Sequence, residues 1–188
     1  MKQMIKILRA AIICFAFMTI LCGIIYPLIV TGIAAELFPN QANGSIITKT
    51  ASDGTEVQVG SKYLGQEFTK PEYLIGRPLG TSNLSPNSSQ QRNLVEERVK
   101  WWHTLDPTNK KDIPLDLVTA SGSGVDPNIS PKAAAYQVSR IASVRGIDKS
   151  KVEDIIAKCT SKRLLGFWGE PGVNVLEVNI MLDALNKK

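Results

Sequence analysis

Residues 10–35, AAIICFAFMTILCGIIYPLIVTGIAA, decide the organisation of this chain of 188 residues. These 26 positions contain no charged side chain and are rich in Ile, Leu, Val, Phe and Ala. A helix of that length is about 39 Å long, whereas the hydrocarbon core of a bilayer is about 30 Å thick. The stretch therefore predicts a transmembrane helix that tilts or bends. Pro27 predicts the place of bending, because its ring crowds the carbonyl of Gly23.

The charges on either side of this span predict its orientation. Lys2, Lys6 and Arg9 precede it, whereas Glu36 follows it. Basic residues concentrate on the cytoplasmic side of membrane spans. We therefore expect a cytoplasmic N-terminus at 1–9, a transmembrane helix at 10–35, and an extracytoplasmic domain at 36–188 anchored in the cell (inner) membrane. A cleaved signal peptide is the competing interpretation, but its apolar core usually has about 7 to 15 residues.

Every fourth residue from Thr19 to the end of the span is small or compact. The set is Thr19, Gly23, Pro27, Thr31 and Ala35. A ridge of such side chains lets a second helix approach closely in lipid, where apolar burial alone does not drive association. The pattern predicts a membrane partner. The alternative is that these residues are tolerated in a span that contacts lipid alone.

The composition after the span argues against several classes of function. Three of the 22 basic residues precede the span, so the rest of the chain carries 19 basic and 17 acidic side chains. This near balance argues against nucleic-acid binding, which needs a concentrated basic face. Cys159 and His103 are the only cysteine and histidine after the span, too few for a zinc site. We expect no metal site and no catalytic residue, with a hydrolase built on His103 as the enzymatic alternative.

Local patterns predict a mixed α and β domain. Residues 45–49 and 56–63 carry β-branched side chains around the turn Ser52-Asp53-Gly54, which predicts a hairpin. Residues 115–119 and 173–178 are predicted as short strands. Capping patterns predict three helices, which begin after Ser88, after Ser130 and near Ser150. The fold class expected is α+β, one domain behind a single N-terminal transmembrane helix.

The turn Ser121-Gly122-Ser123-Gly124 is the first candidate binding site. A strand, two glycines and then a helix start can present backbone N–H groups to a phosphate. However, no Gly-Lys-Ser/Thr follows, and Asp126 would repel a phosphate. A flexible turn whose glycines permit positive φ is the alternative.

Three further polar residues are candidate contacts. Gln137 and Arg140 lie three positions apart on the following predicted helix, where they either contact a ligand or partner or face solvent. Arg77 lies between Gly76 and Pro78, and a rigidly presented guanidinium suits a carboxylate partner. A surface turn with an idle cation is the alternative for Arg77.

The order of motifs along nearly the whole chain resembles the C subunit of the Kdp-type potassium-transporting ATPase, the KdpC family. The matching motifs are Gly-Ile-Ile-Tyr-Pro at 23–27, Gly60-Ser61, Leu-Gly-Gln-Glu-Phe at 64–68, Tyr73, Gly76-Arg77-Pro78, Ser82-Asn83-Leu84, Pro86, Arg98-Val99, the run from Asp116 to Pro127, Ile129-Ser130-Pro131, Ala133-Ala134, Gln137, Arg140, Ile141-Ala142 and Val-Asn-Val-Leu at 173–176. One departure is that only Leu79-Gly80-Thr81 separates the Gly-Arg-Pro triplet from Ser82, where the family often has a longer Tyr- and Gly-rich insertion.

The resemblance implies a non-catalytic accessory subunit of a potassium import complex. Its implied partners are a potassium-binding channel-like subunit, an ATP-hydrolysing P-type subunit, a small one-span subunit and membrane lipid. The family role is that of a catalytic chaperone that raises the ATP affinity of the P-type subunit, so ATP is a cofactor of the complex and not of this chain alone. The nucleotide contacts that this role implies are Ser121, Gly122, Ser123, Gly124 and Gln137.

The charge asymmetry around the span conflicts with direct ATP contact. It places the domain outside, where ATP is scarce and a cytoplasmic nucleotide-binding domain cannot reach. We therefore expect the domain to rest on the extracellular mouth of the potassium-selective subunit. A membrane-tethered extracytoplasmic module that binds a peptide or small ligand through residues 65–87 is the alternative.

Overall fold

The computed structural model describes residues 2–50 and 54–185. The chain divides into two compact units, Met1–Ile46 and Ile47–Lys188. The first unit is helical: α1 (Lys2–Ile20), a π-helical segment (Leu21–Ile25), α2 (Tyr26–Leu37) and the single turn α3 (Pro39–Ala42). Residues Lys2–Leu37 form one helical stretch that is long and apolar enough to cross a membrane, and none of its side chains is buried in the protein.

Just before Pro27, where the sequence predicts a bend, the helix contains the π-helical segment Leu21–Ile25. The bend itself stays a prediction. Pro27 has no N–H group, so the carbonyl of Gly23 loses its usual donor. Immediately before Pro27, the N–H of Tyr26 donates to the carbonyl of Leu21, five residues back. π-helical turns are one of the recognised causes of irregular geometry in long helices.

The second unit mixes helices with two small sheets. Its elements in chain order are β1 (Ile46–Thr50), β2 (Glu56–Ser61), α4 (Ser89–Leu105), a 3₁₀ turn (Leu115–Leu117), β3 (Asn128–Ile129), α5 (Pro131–Arg145), α6 (Lys149–Lys158), β4 (Thr160–Ser161), β5 (Gly172–Asn174) and α7 (Val175–Leu185). Strands β1 and β2 form one two-stranded sheet, and β5 lies between β3 and β4 in an antiparallel sheet. The α+β composition predicted from the sequence is confirmed. The predicted hairpin strands are present, while Ser52 and Asp53 of its turn lie outside the described residues.

Two of the three helix starts follow the predicted caps. The Ser88 hydroxyl accepts a hydrogen bond from the N–H of Gln91 at 3.2 Å, and that of Ser130 accepts one from Ala133 at 3.1 Å. The N-cap of helix α6 is Asp148, two residues before the predicted cap Ser150, because Gly146 ends α5 with φ +64° and Asp148 then takes the extended N-cap position. Side-chain caps thus explain where α4 and α5 begin.

Two predicted strands are wrong in whole or in part. Residues 115–119 form the 3₁₀ turn and irregular chain instead of a strand. The predicted strand 173–178 ends at Asn174, whose side-chain oxygen accepts a hydrogen bond from the N–H of Glu177 at 3.0 Å and so starts α7. Apolar alternation could not distinguish the two structures, because a short apolar run fits a strand and a buried helix equally well.

Helix α5 forms the centre of the domain core. It packs against α6 and β5, and eight of its residues are buried. The side chains that are less than 2 % exposed and largest include Trp102, Leu74, Leu117, Ile141 and Leu182. They come from α4, α5, α7 and the irregular segments between strands and helices. The core therefore depends on the segments at 62–88 and 106–127 as well as on the helices.

Candidate functional site

The glycine-rich turn at 121–124 folds onto its own serine side chains. The Ser121 hydroxyl accepts hydrogen bonds from the N–H groups of Gly124 at 2.9 Å and Asp126 at 3.4 Å. The Ser123 hydroxyl accepts one from Val125 at 3.3 Å. A phosphate bound in such a turn would need free backbone N–H groups. In this conformation, the backbone N–H groups of residues 124–126 already donate to serine hydroxyls.

Gly124 fixes the turn against a neighbouring segment. Its φ is +72°, a region that favours glycine, and its carbonyl accepts a hydrogen bond from the N–H of Gly80 at 2.8 Å. A Cβ at Gly124 would lie 2.7 Å from the carbonyl carbon of Gly80 and 2.8 Å from the nitrogen of Thr81. On the other side of the turn, the N–H of Gly65 donates to the carbonyl of Val125 at 2.8 Å. The turn is therefore packed between two segments of chain.

Gln137 lies in the core and is bound to protein through both ends of its amide. Its Oε1 accepts from the N–H of Ile75 at 2.9 Å, and its Nε2 donates to the carbonyls of Ile75 at 2.9 Å and Ala133 at 3.3 Å. The side chain is 0 % exposed. A nucleotide could reach this amide only after displacing Ile75. The structure does not join Gln137 to residues 121–124 through any hydrogen bond among the described residues.

Arg140 is also buried, so the alternative of a solvated helix face for Gln137 and Arg140 is wrong. Its guanidinium donates to the carbonyls of Pro71 and Tyr73 and to Oε1 of Gln137, and it lies over the ring of Trp102. Burial lowers the pKa of Arg140 to about 10, which leaves it protonated at neutral pH. The pair anchors the segment before Gly76 to α5.

Asn179 completes this anchor, and sequence patterns did not single it out. Its Oδ1 accepts from the N–H of Leu74 at 2.8 Å, and its Nδ2 donates to the carbonyl of Leu74 at 2.9 Å. The backbone groups of Leu74 and Ile75 are thus paired with the amides of Asn179 and Gln137, as they would be paired with a strand in a sheet. The sequence signal that could have found Asn179 is its position as a polar residue within an apolar segment, because a buried polar side chain is expected to have a hydrogen-bond partner.

The remaining candidates of the sequence analysis lie apart from these anchors. The Arg77 guanidinium donates to the carbonyls of Thr119 at 3.2 Å and Ala120 at 3.1 Å, immediately before the glycine-rich turn. His103 is an exposed residue in the last turn of α4. No group of three His, Cys, Asp or Glu side chains that could hold a metal ion is found within residues 2–50 and 54–185.

The five ridge residues of the span are spread over α1, the π-helical segment and α2. In an α-helix an every-fourth pattern drifts by about 40° per step, and a π-helical turn, which contains an extra residue, reduces that drift. The segment Leu21–Ile25 therefore brings Thr19, Gly23 and Pro27 closer to one face. Within the described residues, nothing lies within 4 Å of a Cβ built at Gly23. The packing of this face against a partner stays a prediction.

We expect Gly23→Leu to lower the yield of assembled complex by about tenfold, because added bulk would force a partner helix away from the ridge. Ile24→Leu keeps the side-chain volume beside the ridge and should assemble as the parent chain does. The measurement is co-purification of the other subunits with tagged full-length chain in mild detergent. Equal yields from the two variants would argue against the ridge.

The exposed apolar helix and the mixed α and β unit after it have the organisation of a membrane-anchored protein. The family described as "KdpC: K+-transporting ATPase, c chain" matches residues 8–184. The chain belongs to this KdpC family and is accordingly a component of a potassium-transporting ATPase complex.

Individual relatives agree with the family over their whole length. A protein of Listeria monocytogenes serotype 4a (strain HCC23) is 56% identical over 188 residues, which cover 98% of this chain and 99% of the relative. A protein of Methylococcus capsulatus is 42% identical over 194 residues, covering 97% and 100% of the two chains. One of Dechloromonas aromatica is 43% identical over 193 residues, covering 96% and 98%. All three are named potassium-transporting ATPase KdpC subunit.

Proposed function

We propose that this chain is a non-catalytic subunit that assists the assembly and coupling of an ATP-driven potassium import complex. Its relatives carry the name of a potassium-transporting ATPase subunit, and its motifs resemble that family from end to end. Its partners would be the potassium-binding channel-like subunit, the ATP-hydrolysing P-type subunit and the small one-span subunit. The domain would lie outside the cell membrane, on the mouth of the potassium-binding subunit.

An exposed apolar loop carries the proposal of a docking role. Leu164, Leu165, Phe167 and Trp168 are 67% to 78% exposed, although all four are large and apolar. The loop is not frayed chain, because the N–H groups of Leu164 and Trp168 donate to each other's carbonyls at 2.8 Å and 2.9 Å. A contiguous apolar patch of this kind marks a surface that another protein or a membrane covers. In a chain of this family, the complex supplies such a partner.

The charges that flank the span support the extracytoplasmic placement. Lys2, Lys6 and Arg9 precede the apolar stretch and Glu36 follows it. The geometry of the glycine-rich turn agrees with this placement, because its serine hydroxyls occupy N–H groups that a phosphate would use. A rise in the ATP affinity of the P-type subunit would then be transmitted through assembly. Direct ATP contact at Ser121, Gly122, Ser123 and Gly124 is the rival proposal.

Labelling of a Phe167→Cys variant with a membrane-impermeant maleimide tests both placement and docking. We expect intact cells that express this chain alone to be labelled, and labelling to fall at least fivefold when the other subunits are co-expressed. Leu115→Cys is the matched control, because Leu115 is 71% exposed and lies outside the apolar loop. It should be labelled in both cases.

Native cysteines should contribute little background to this experiment. Cys14 and Cys22 lie in the apolar helix. Cys159 is buried, and burial raises the pKa of its thiol to about 11, so little reactive thiolate forms near neutral pH. Labelling of Phe167→Cys and Leu115→Cys only after lysis would place the domain in the cytoplasm and revive direct ATP contact. Unchanged labelling of Phe167→Cys in the assembled complex would show that the loop is not covered.

A further inference from the structure

A cavity of about 200 Å³ lies between α4 and the segment 66–79. Its lining includes Phe68, Ile75, Arg77, Arg98, Trp101 and Leu117. Apolar and aromatic side chains thus form much of the wall, and two guanidinium groups interrupt it. Trp101 is 39% exposed, so the rim of the cavity is open to solvent.

Consecutive backbone carbonyls bind the two guanidinium groups. Arg98 donates through Nη1 to the carbonyl of Val118 at 2.8 Å. Arg77 donates through Nη2 to the carbonyls of Thr119 at 3.2 Å and Ala120 at 3.1 Å. These three carbonyls belong to successive residues, and both arginine side chains line the cavity. Both cations are therefore oriented before any ligand arrives.

The two cations lack an acidic partner within the described chain. No ion pair among residues 2–50 and 54–185 includes Arg77 or Arg98, and Glu67, which also lines the cavity, lies beyond ion-pair distance of both. The Nε of Arg77 is buried and has no hydrogen-bond acceptor among the described residues. Neighbouring like charges repel, and a buried donor without an acceptor is unfavourable. An anion in the cavity would relieve both.

We propose that this cavity binds a carboxylate attached to an apolar group. A planar guanidinium fork matches the geometry of a carboxylate, and the walls formed by Phe68, Ile75 and Trp101 suit an apolar body. The volume of about 200 Å³ is below the range of about 300 to 1,000 Å³ that is usual for small-molecule sites. This size suits a small organic acid or one acidic side chain of a neighbouring subunit.

Benzoate and its neutral analogue benzamide are suitable probes for the full-length chain in mild detergent. By titration calorimetry, we expect benzoate to bind at least tenfold more tightly than benzamide. Arg77→Gln and Arg98→Gln should each weaken benzoate binding at least tenfold. Arg92→Gln is the matched control, because Arg92 is exposed on the same helix as Arg98 and does not line the cavity.

Thermal melting of each variant separates lost binding from lost folding. If Arg77→Gln does not fold, Arg98→Gln and the comparison of benzoate with benzamide still decide the matter. Equal affinity for the two probes would overturn the inference, as would equal weakening by Arg92→Gln and Arg98→Gln. Tighter binding of inorganic phosphate than of benzoate would overturn the assignment to carboxylates.

The same titration on the purified complex distinguishes the two sources of the carboxylate. Loss of benzoate binding on assembly would support an acidic side chain of a neighbouring subunit as the ligand. Retained binding would support a free organic acid. The proposal concerns the cavity and stands even if the domain proves cytoplasmic, so its failure and that of the proposed function are separate results.

Discussion

Replacing Gln137 with Ala is expected to lower the free energy of unfolding of the domain by about 4 kcal/mol. The change removes the partners of the Ile75 N–H and carbonyl, both of which lie in the core. It also takes an acceptor from the Arg140 guanidinium, which is buried without an ion-pair partner among the described residues. Urea unfolding of the full-length chain in detergent, followed by far-UV circular dichroism, measures the effect.

Two further variants identify the cause of the destabilisation. Gln90→Ala changes an exposed glutamine on α4 and should alter stability by no more than about 0.5 kcal/mol. Gln137→Glu keeps an acceptor for Ile75 and Arg140 but loses the amide donor, so we expect an intermediate loss. If Gln137→Ala were as stable as Gln90→Ala while the ATP affinity of the complex fell, Gln137 would be a nucleotide contact and not an anchor.

Sequence patterns predicted those parts of the fold that depend on neighbouring residues. The apolar stretch at 10–35 needed no partner within the domain to be recognised as a helix. The caps at Ser88 and Ser130 bond to N–H groups three residues along the chain, so composition at short range determines them. The β-branched strands β1 and β2 are separated by only five residues of sequence, 51–55.

The candidate site depends on pairings between distant residues, which such patterns do not contain. Gln137 binds Ile75 across 62 positions, and Asn179 binds Leu74 across 105. Neither pairing produces a periodic pattern of residues that sequence analysis could detect. Distant pairings of the same kind hold residues 72–75 in place, where side-chain amides and arginines bind the backbone. The same limit explains why the cavity between Arg77 and Arg98 could not be foreseen.

Gly124→Ala is expected to lower the free energy of unfolding by about 3 kcal/mol, through the φ of +72° and the contacts of the new methyl group. The methyl carbon would meet backbone atoms of Gly80 and Thr81 below 3.0 Å, and rotation of a side chain cannot relieve a clash with backbone. The segment 79–81 must then move away and lose the hydrogen bond from Gly80 to Gly124.

Gly122→Ala is the matched control within the same turn. Within the described residues, nothing lies within 4 Å of a Cβ built at Gly122, and its φ is not positive. The change should therefore alter stability by no more than about 0.5 kcal/mol.

If the turn served to bind phosphate, the two glycine variants would lower ATP affinity alike, because a methyl group on either would obstruct the approach of the anion. Urea unfolding together with the ATP dependence of hydrolysis by the assembled complex therefore separates the two roles. Loss of stability confined to Gly124→Ala supports a packing turn, and equal loss of ATP affinity with unchanged stability in both variants supports a nucleotide site.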